Sequence, residues 1–266
     1  MEQKISINKN EFYTRILEKI NNEISSKIFE EKLKKVQNID FNHYSKKITV
    51  NKLKKIIKEY KSEERKDIKL KNLLILLPGN PEIVFKICLE ILKYDLDALI
   101  VIQDFCLGQN TLIIEMINEV IKKNNLKRKI EFKNLLDDSE IIKKSQEYNK
   151  VICVGDSNLY NRLKNKITNI ELNSYGILEI YSDSDEFEEL EQAFFEFCYE
   201  NEFEIENYSD LNFEDCIRLI NKSGYKFCSV LFSKDEIKQK VFKESVNSKY
   251  IIINKNPFKE IKFKIF

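Results

Sequence analysis

Glycine and proline are scarce in this chain. At average usage, about 7% and about 5%, its length would carry about 19 and about 13 of them. It has five glycines and three prolines in 266 residues. The two nearest glycines, Gly155 and Gly176, stand 21 positions apart. A G-x-G-x-x-G fingerprint, a Walker A loop and a G-x-S-x-G elbow each need two glycines within six positions, so all three are excluded. Tryptophan is absent and His43 is the single histidine. That rules out an H-E-x-x-H zinc site and argues against a histidine-based triad. No apolar run approaches the ~18 residues of a membrane span, and the opening MEQKISINKNEF has no apolar leader core. The expectation is a cytoplasmic protein with no membrane segment.

The six cysteines are Cys88, Cys106, Cys153, Cys198, Cys216 and Cys228, and none forms C-x-x-C. Several sit in apolar runs such as Val151-Ile152-Cys153-Val154. Such placement suits buried, reduced thiols, and no metal site is expected.

Charge is balanced overall, at +1, but not along the chain. Residues 1–72 carry a net +8, residues 171–217 hold 16 acidic residues and no basic one, and residues 218–266 carry a net +8. The acidic block would repel phosphates, and no aromatics interleave the basic N-terminal helices, which argues against nucleic acid. The basic segments read instead as solvated helical faces that complement the acidic block, within the chain or across a dimer.

Phe12, Ile16, Ile20, Ile24, Ile28, Leu33 and Val36 recur at near-helical spacing and predict one amphipathic helix over 10–37. Leu53, Ile56, Ile57 and Tyr60 predict another. From residue 72 short apolar runs alternate with helical stretches. Strands are expected at 72–77, 98–103, 129–132, 150–154, 170–172 and 177–181, with helices at 82–93, 110–123, 138–148 and 184–200. Strands at 203–207, 226–232 and 249–254 then alternate with helices at 211–222 and 234–246. This alternation predicts an α/β protein with a Rossmann-like, doubly wound, mostly parallel sheet, an N-terminal helical region and a C-terminal pairing strand. The organisation expected is a helical region over 1–71, a Rossmann-like core over 72–201 and a smaller region over 202–266. In such sheets ligands bind at the carboxyl ends of strands, which points to the turns after Leu77, Gln103 and Val154. The tail Lys259–Phe266 alternates Ile261, Phe263 and Ile265 with Lys262 and Lys264, the pattern of a strand ready to pair with another sheet edge.

The order of these segments resembles the aldehyde dehydrogenase superfamily, which includes acyl-CoA reductases. Pro78-Gly79-Asn80 is similar to that family's P-x-N turn, whose Asn amide helps hold an oxyanion. Leu99–Gln103 falls at the V-V-x-K-P strand, with Gln103 in place of the ribose-binding Lys. Val154-Gly155-Asp156-Ser157 resembles the F-T-G-S turn beside the cofactor, with Tyr160 where the second glycine belongs. Ile170-Glu171-Leu172-Asn173-Ser174 resembles the L-E-L-G-G strand that carries the general-base Glu, with Asn173 and Ser174 replacing both glycines. Asn221, Tyr225 and Val230-Leu231-Phe232-Ser233-Lys234-Asp235 resemble the N-x-x-x-Y-G-L-x-A-x-V-F-T-x-D stretch. Phe258-Lys259-Glu260-Ile261-Lys262 resembles the terminal oligomerisation strand.

The departures carry as much as the matches. Where the family inserts the bulk of its catalytic domain, with the nucleophilic Cys of G-Q-x-C, this chain has almost nothing. The nearest thiol, Cys198, is flanked in sequence by Glu189, Glu191, Glu196, Glu200 and Glu202, which would raise its pKa. The resemblance therefore leaves Asn80, Glu171 and Cys198 as catalytic remnants, with Gly79, Gln103, Gly155 and Ser157 as cofactor-site remnants. Each also has a structural reading: Asn80 as a turn residue, Asp156 as a helix cap beside Gly155, Glu171 as a strand-end carboxylate, Cys198 as a packed thiol. The expectation is a non-catalytic, shortened homologue that binds no cofactor and acts as a dimer or with a partner protein through residues 259–266. The alternatives are an NAD or NADP-linked aldehyde or acyl-CoA reductase with a rearranged site, and a nucleotide-binding sensor without chemistry.

Overall fold

The computed structural model describes residues 9–40, 47–61, 71–77, 79–102, 107–126, 129–134, 136–175, 177–200, 203–223, 225 and 227–255. Gln103, His43 and the expected pairing strand at 259–266 lie outside them.

Three helices come first: α1 (Lys9–Ile24), α2 (Lys27–Ile39) and α3 (Val50–Lys61). The single helix expected over 10–37 is two. The chain breaks at Ser25-Ser26, where the Ser26 hydroxyl accepts the Phe29 N–H at 3.1 Å and starts α2 as its N-cap. The apolar period runs straight through this break, and one of its members, Ile28, ends 68% exposed. Leu17, Ile20, Ile24, Leu53, Ile56 and Ile57 are buried. Tyr13 of α1 donates to the Leu89 carbonyl, in the helix that follows the first strand, at 3.3 Å.

Strand and helix then alternate: β1 (Asn72–Leu77), α4 (Pro81–Tyr94), β2 (Asp97–Ile102), α5 (Leu107–Lys123), β3 (Ile130–Asn134), α6 (Asp138–Ser145), β4 (Lys150–Val154), α7 (Ser157–Leu163) and β5 (Ile170–Asn173). They build a five-stranded sheet in the order β3-β2-β1-β4-β5. β1 and β2 run parallel from Asn72↔Asp97 to Leu77↔Ile102, and β2 and β3 from Ala98↔Ile130 to Ile102↔Asn134. Leu73–Leu77 are wholly buried, as an apolar run between two helical layers must be. Removing such a Leu or Ile from water is worth about 1.5–3 kcal/mol each.

β6 (Ile177–Ser182) opens a second sheet, which the strand pattern alone does not reveal. A single 3-10 turn at Asp185–Phe187 leads into α8 (Glu188–Glu200). β7 (Glu204–Asn207), α9 (Phe213–Ser223), β8 (Cys228–Phe232), α10 (Glu236–Ser245) and β9 (Tyr250–Ile253) follow. The four strands order as β7-β6-β8-β9 with every pairing parallel. Alternation along β8 sends Leu231 into a cluster with Tyr181, Cys216, Ile220, Phe242 and Val246. Its neighbour Phe232 meets Phe194 of α8, centroids 6.5 Å apart. Helices therefore cover both faces, and the fold is α/β with mostly parallel strands, as expected.

The chain divides into two compact units. The first runs to Ile152 and includes Lys166–Asn169; the second comprises Cys153–Asn165 and the described residues from Ile170 on. In the second unit Lys234 pairs with Glu186 and Lys238 with Asp183, so part of the acidic block is neutralised by the basic segment that follows it.

Candidate functional site

After β1, Asn80 is 2% exposed, and its side-chain oxygen accepts the N–H groups of Glu82 at 2.9 Å and Ile83 at 3.4 Å. With Pro81 in the first turn, where no N–H is needed, this is a complete N-cap for α4. The Gly79 carbonyl accepts from Asn110 Nδ2 at 2.7 Å. Just inside the helix, Glu82 meets Lys86 at 2.8 Å and Lys52 at 3.1 Å. Burial alone would raise its carboxyl, but the two ammonium groups outweigh burial and hold it below the ordinary range.

The start of α5 is capped by a residue with no sequence signal. Asp40, at the end of α2, accepts the N–H of Gly108 at 2.8 Å and that of Gln109 at 2.9 Å. A Cβ on Gly108 would lie 2.9 Å from Asp40 Oδ1, so glycine there makes room for the carboxylate. Gln109, fully buried, accepts from the Ile48 amide and from Gln37, both at 3.1 Å, which ties the helix start to α2 and to the segment before α3.

After β4 comes Gly155, at φ +65°, where an added Cβ would clash with the Tyr175 carbonyl oxygen at 2.8 Å. Glycine is required here by the chain's own next turn. Asp156 caps α7 by accepting the Leu159 N–H at 2.7 Å. Glu204, the first residue of β7, takes the next position. It accepts the Ser157 N–H at 3.3 Å and the Ser157 hydroxyl at 2.5 Å. Two carboxylates thus occupy the positive end of this helix.

In the L-E-L-G-G-like segment, Glu171 is exposed on β5. Asn173 Oδ1 accepts the Tyr175 N–H at 3.0 Å in an Asx turn, and Ser174 donates to the Tyr225 carbonyl. Polar side chains here do the turning that glycine does in the family pattern. Cys198 is fully buried in α8, and its thiol is pushed up to about 12. The direction is the one expected, but the cause is burial and not the flanking carboxylates. Cys88 and Cys216 also stand at about 12, while Cys153 and Cys228 are raised further, burial being the largest cause in each. All five described thiols are free and buried. Among the described residues no three His, Cys, Asp or Glu side chains converge as metal ligands, and no helix is long and apolar enough to cross a membrane. Asn80 and Gly79 belong to the first unit; Gly155, Ser157, Glu171 and Cys198 belong to the second.

No protein family's sequence profile matches the chain, and no curated protein matches it. Its folded structure is similar to solved ones. γ-Glutamyl phosphate reductase of Thermotoga maritima aligns at TM-score 0.56 and 13% identity, over 92% of this chain and 82% of that one. Salicylaldehyde dehydrogenase of Pseudomonas putida G7, complexed with salicylaldehyde, aligns at TM-score 0.57 and 11% identity, over 97% and 79%. PnpE in complex with nicotinamide adenine dinucleotide aligns at TM-score 0.56 and 9% identity, over 94% and 78%. The class these likenesses define is a fold, one shared with γ-glutamyl phosphate reductase and salicylaldehyde dehydrogenase. At such identities the likeness extends to the fold alone.

Proposed function

We propose that the chain is a non-catalytic protein that keeps the aldehyde dehydrogenase-type scaffold and works by association, with a second copy of itself or with a partner protein. One observation carries this reading: the helix starts after β1, β2 and β4 are filled by the chain's own side chains. Asn80 caps α4, Asp40 caps α5, and Asp156 and Glu204 share α7. A dinucleotide of the kind PnpE holds carries a pyrophosphate, which such folds seat at a helix start with backbone approach through glycine. Pyrophosphate does not fit at α7 beside two carboxylates, and the glycine there is already taken up by Tyr175.

The thiols support the same reading. A group at about 12 leaves about one Cys198 in 10⁵ ionised at neutral pH, and the thiolate is the nucleophile that thiohemiacetal chemistry needs. The associating element in this reading is the stretch Lys259–Phe266, which lies outside the described residues and whose sequence alternates Ile261, Phe263 and Ile265 with Lys262 and Lys264. The purified chain is expected to show no NAD(P)-dependent turnover of aldehydes or acyl-CoA. Replacing Ile261, Phe263 and Ile265 together by Ser is expected to convert an associated species into monomer in sedimentation velocity. Turnover that disappears in Cys198→Ala overturns the proposal.

A further inference from the structure

β6 reads Ile177-Leu178-Glu179-Ile180-Tyr181-Ser182, an apolar strand with one carboxylate inside it. Both neighbouring strands are parallel, and their register places Glu179 opposite Glu206 of β7 and Ser229 of β8. Alternation puts Glu179 on the same side as Tyr181, whose cluster includes Cys216 and Ile220 of α9. Glu179 is 0% exposed. Ser229 donates to its Oε2 at 3.2 Å, while Oε1 has no hydrogen-bond partner.

The titratable groups that act on Glu179 are Glu206 from β7, Cys216 from α9, Tyr208 and Tyr225 beyond β7 and α9, and Cys228 of β8, whose side chain lies on the other side of the sheet. Among the described residues none supplies a cation. An ionised carboxylate in this position is desolvated, with a hydroxyl bond from Ser229 but no cation among the described residues to offset the cost. Burial raises the carboxyl to about 7 against the pull of the Ser223 and Ser229 hydroxyls, and the charge of Glu206 adds to the rise. A route for the proton exists. Ser229 Oγ also lies 2.7 Å from the hydroxyl of half-buried Ser248, so two hydroxyls lead from the carboxyl towards the surface.

We propose that Glu179 is a proton-controlled latch in the second sheet: the face covered by α9 closes over the neutral acid, and loss of its proton loosens β6 from the covering helix. The folded state binds this proton more tightly than the unfolded chain does. Stability from the latch is therefore complete below the ordinary carboxylate value of 4.5, falls as pH rises from there, and is spent once pH passes about 7.

The test is urea unfolding of the full chain between pH 5 and pH 8, beside Glu179→Gln, whose amide fills the same space without a charge. Linkage between 4.5 and about 7 raises the wild-type unfolding constant about 70-fold over that interval relative to the variant. Hydrogen exchange should place the added opening in β6 and β8. Parallel wild-type and E179Q curves overturn the latch. Should E179Q fail to fold, Glu206→Gln decides: with that charge gone, the pH at which the loss levels off moves down, and an unmoved value overturns the proposal. Difference infrared spectroscopy gives a third reading. A protonated-carboxyl band must titrate near neutrality, and its absence at pH 5 is equally fatal.

Discussion

Glu204 lies 47 residues beyond Ser157, yet its carboxylate accepts both the amide hydrogen and the hydroxyl of that residue. A helix start offers unpaired N–H groups and partial positive charge, and it accepts any anion of suitable size. When the chain supplies the anion itself, the local concentration of carboxylate exceeds that of any free phosphate. Asp40 stands in the same relation to Gly108 and Gln109 across 68 and 69 residues. Carboxylates distant in sequence thus occupy two of the helix starts.

Asp40→Ala should destabilise the first unit by about 1 kcal/mol, the usual cost of a lost helix cap, measured by denaturant titration. Gly108→Ala should also destabilise, although alanine is ordinarily better than glycine in a helix by about 1 kcal/mol. Its Cβ meets Asp40 Oδ1 at 2.9 Å and Val36 Cβ at 3.1 Å. In an Asp40→Ala background the Gly108→Ala penalty should shrink, and a double-mutant cycle reads the difference.

Gly155→Ala forces a side chain into the left-handed region and against the Tyr175 carbonyl oxygen. The expected cost is about 1–3 kcal/mol, seen as a lower denaturation midpoint. A neutral outcome would mean that the β4–α7 turn has another conformation open to it.

Glu82 should respond to pH with a sign opposite to that of Glu179. Lys86 and Lys52 hold its carboxyl below the ordinary value of 4.5. Its contribution is therefore present above that value and is lost as pH falls through the depressed one. Glu82→Gln should cost about 1–3 kcal/mol near neutrality, since it leaves a half-paired ammonium group in a mostly buried place. The gap between wild type and variant should close towards pH 3 in urea titrations.

The described cysteines should be inert in the native protein. Cys88, Cys153, Cys198, Cys216 and Cys228 are buried with raised pKa values. Alkylation followed by peptide mapping should leave all five unmodified at pH 8 and modify them together in urea. Rapid native labelling of Cys198 would remove the argument that it is only a packed thiol.

Strands with strong apolar runs were legible in the sequence to within about a residue or two, because a buried parallel strand needs little beyond a continuous run such as Asn72–Leu77 or Lys150–Val154. The helix break at Ser25-Ser26 was not. The apolar spacing continues through it, and only the exposure of Ile28 shows that the face has turned. The division into two sheets was equally hidden, since a strand's pattern records burial and not which neighbour it pairs with. Asp156 reads as a cap from the sequence because it stands next to the helix it starts, whereas Asn80, which reads as a turn residue, is in the structure also the cap of α4. Asp40 and Glu204 could not be read so, because each reaches its helix across the fold. Glu179 was visible as a carboxylate in an apolar run. An ionisable group in a buried strand marks a position with a specific structural or functional role.

Calorimetric titration of the purified chain with NAD⁺, NADH, NADP⁺ and NADPH tests the central claim most directly. With α4, α5 and α7 capped by Asn80, Asp40, Asp156 and Glu204, no heat of binding is expected at millimolar ligand. Saturable binding at micromolar concentration, weakened by substitution of Ser157 or Gly155, would contradict it.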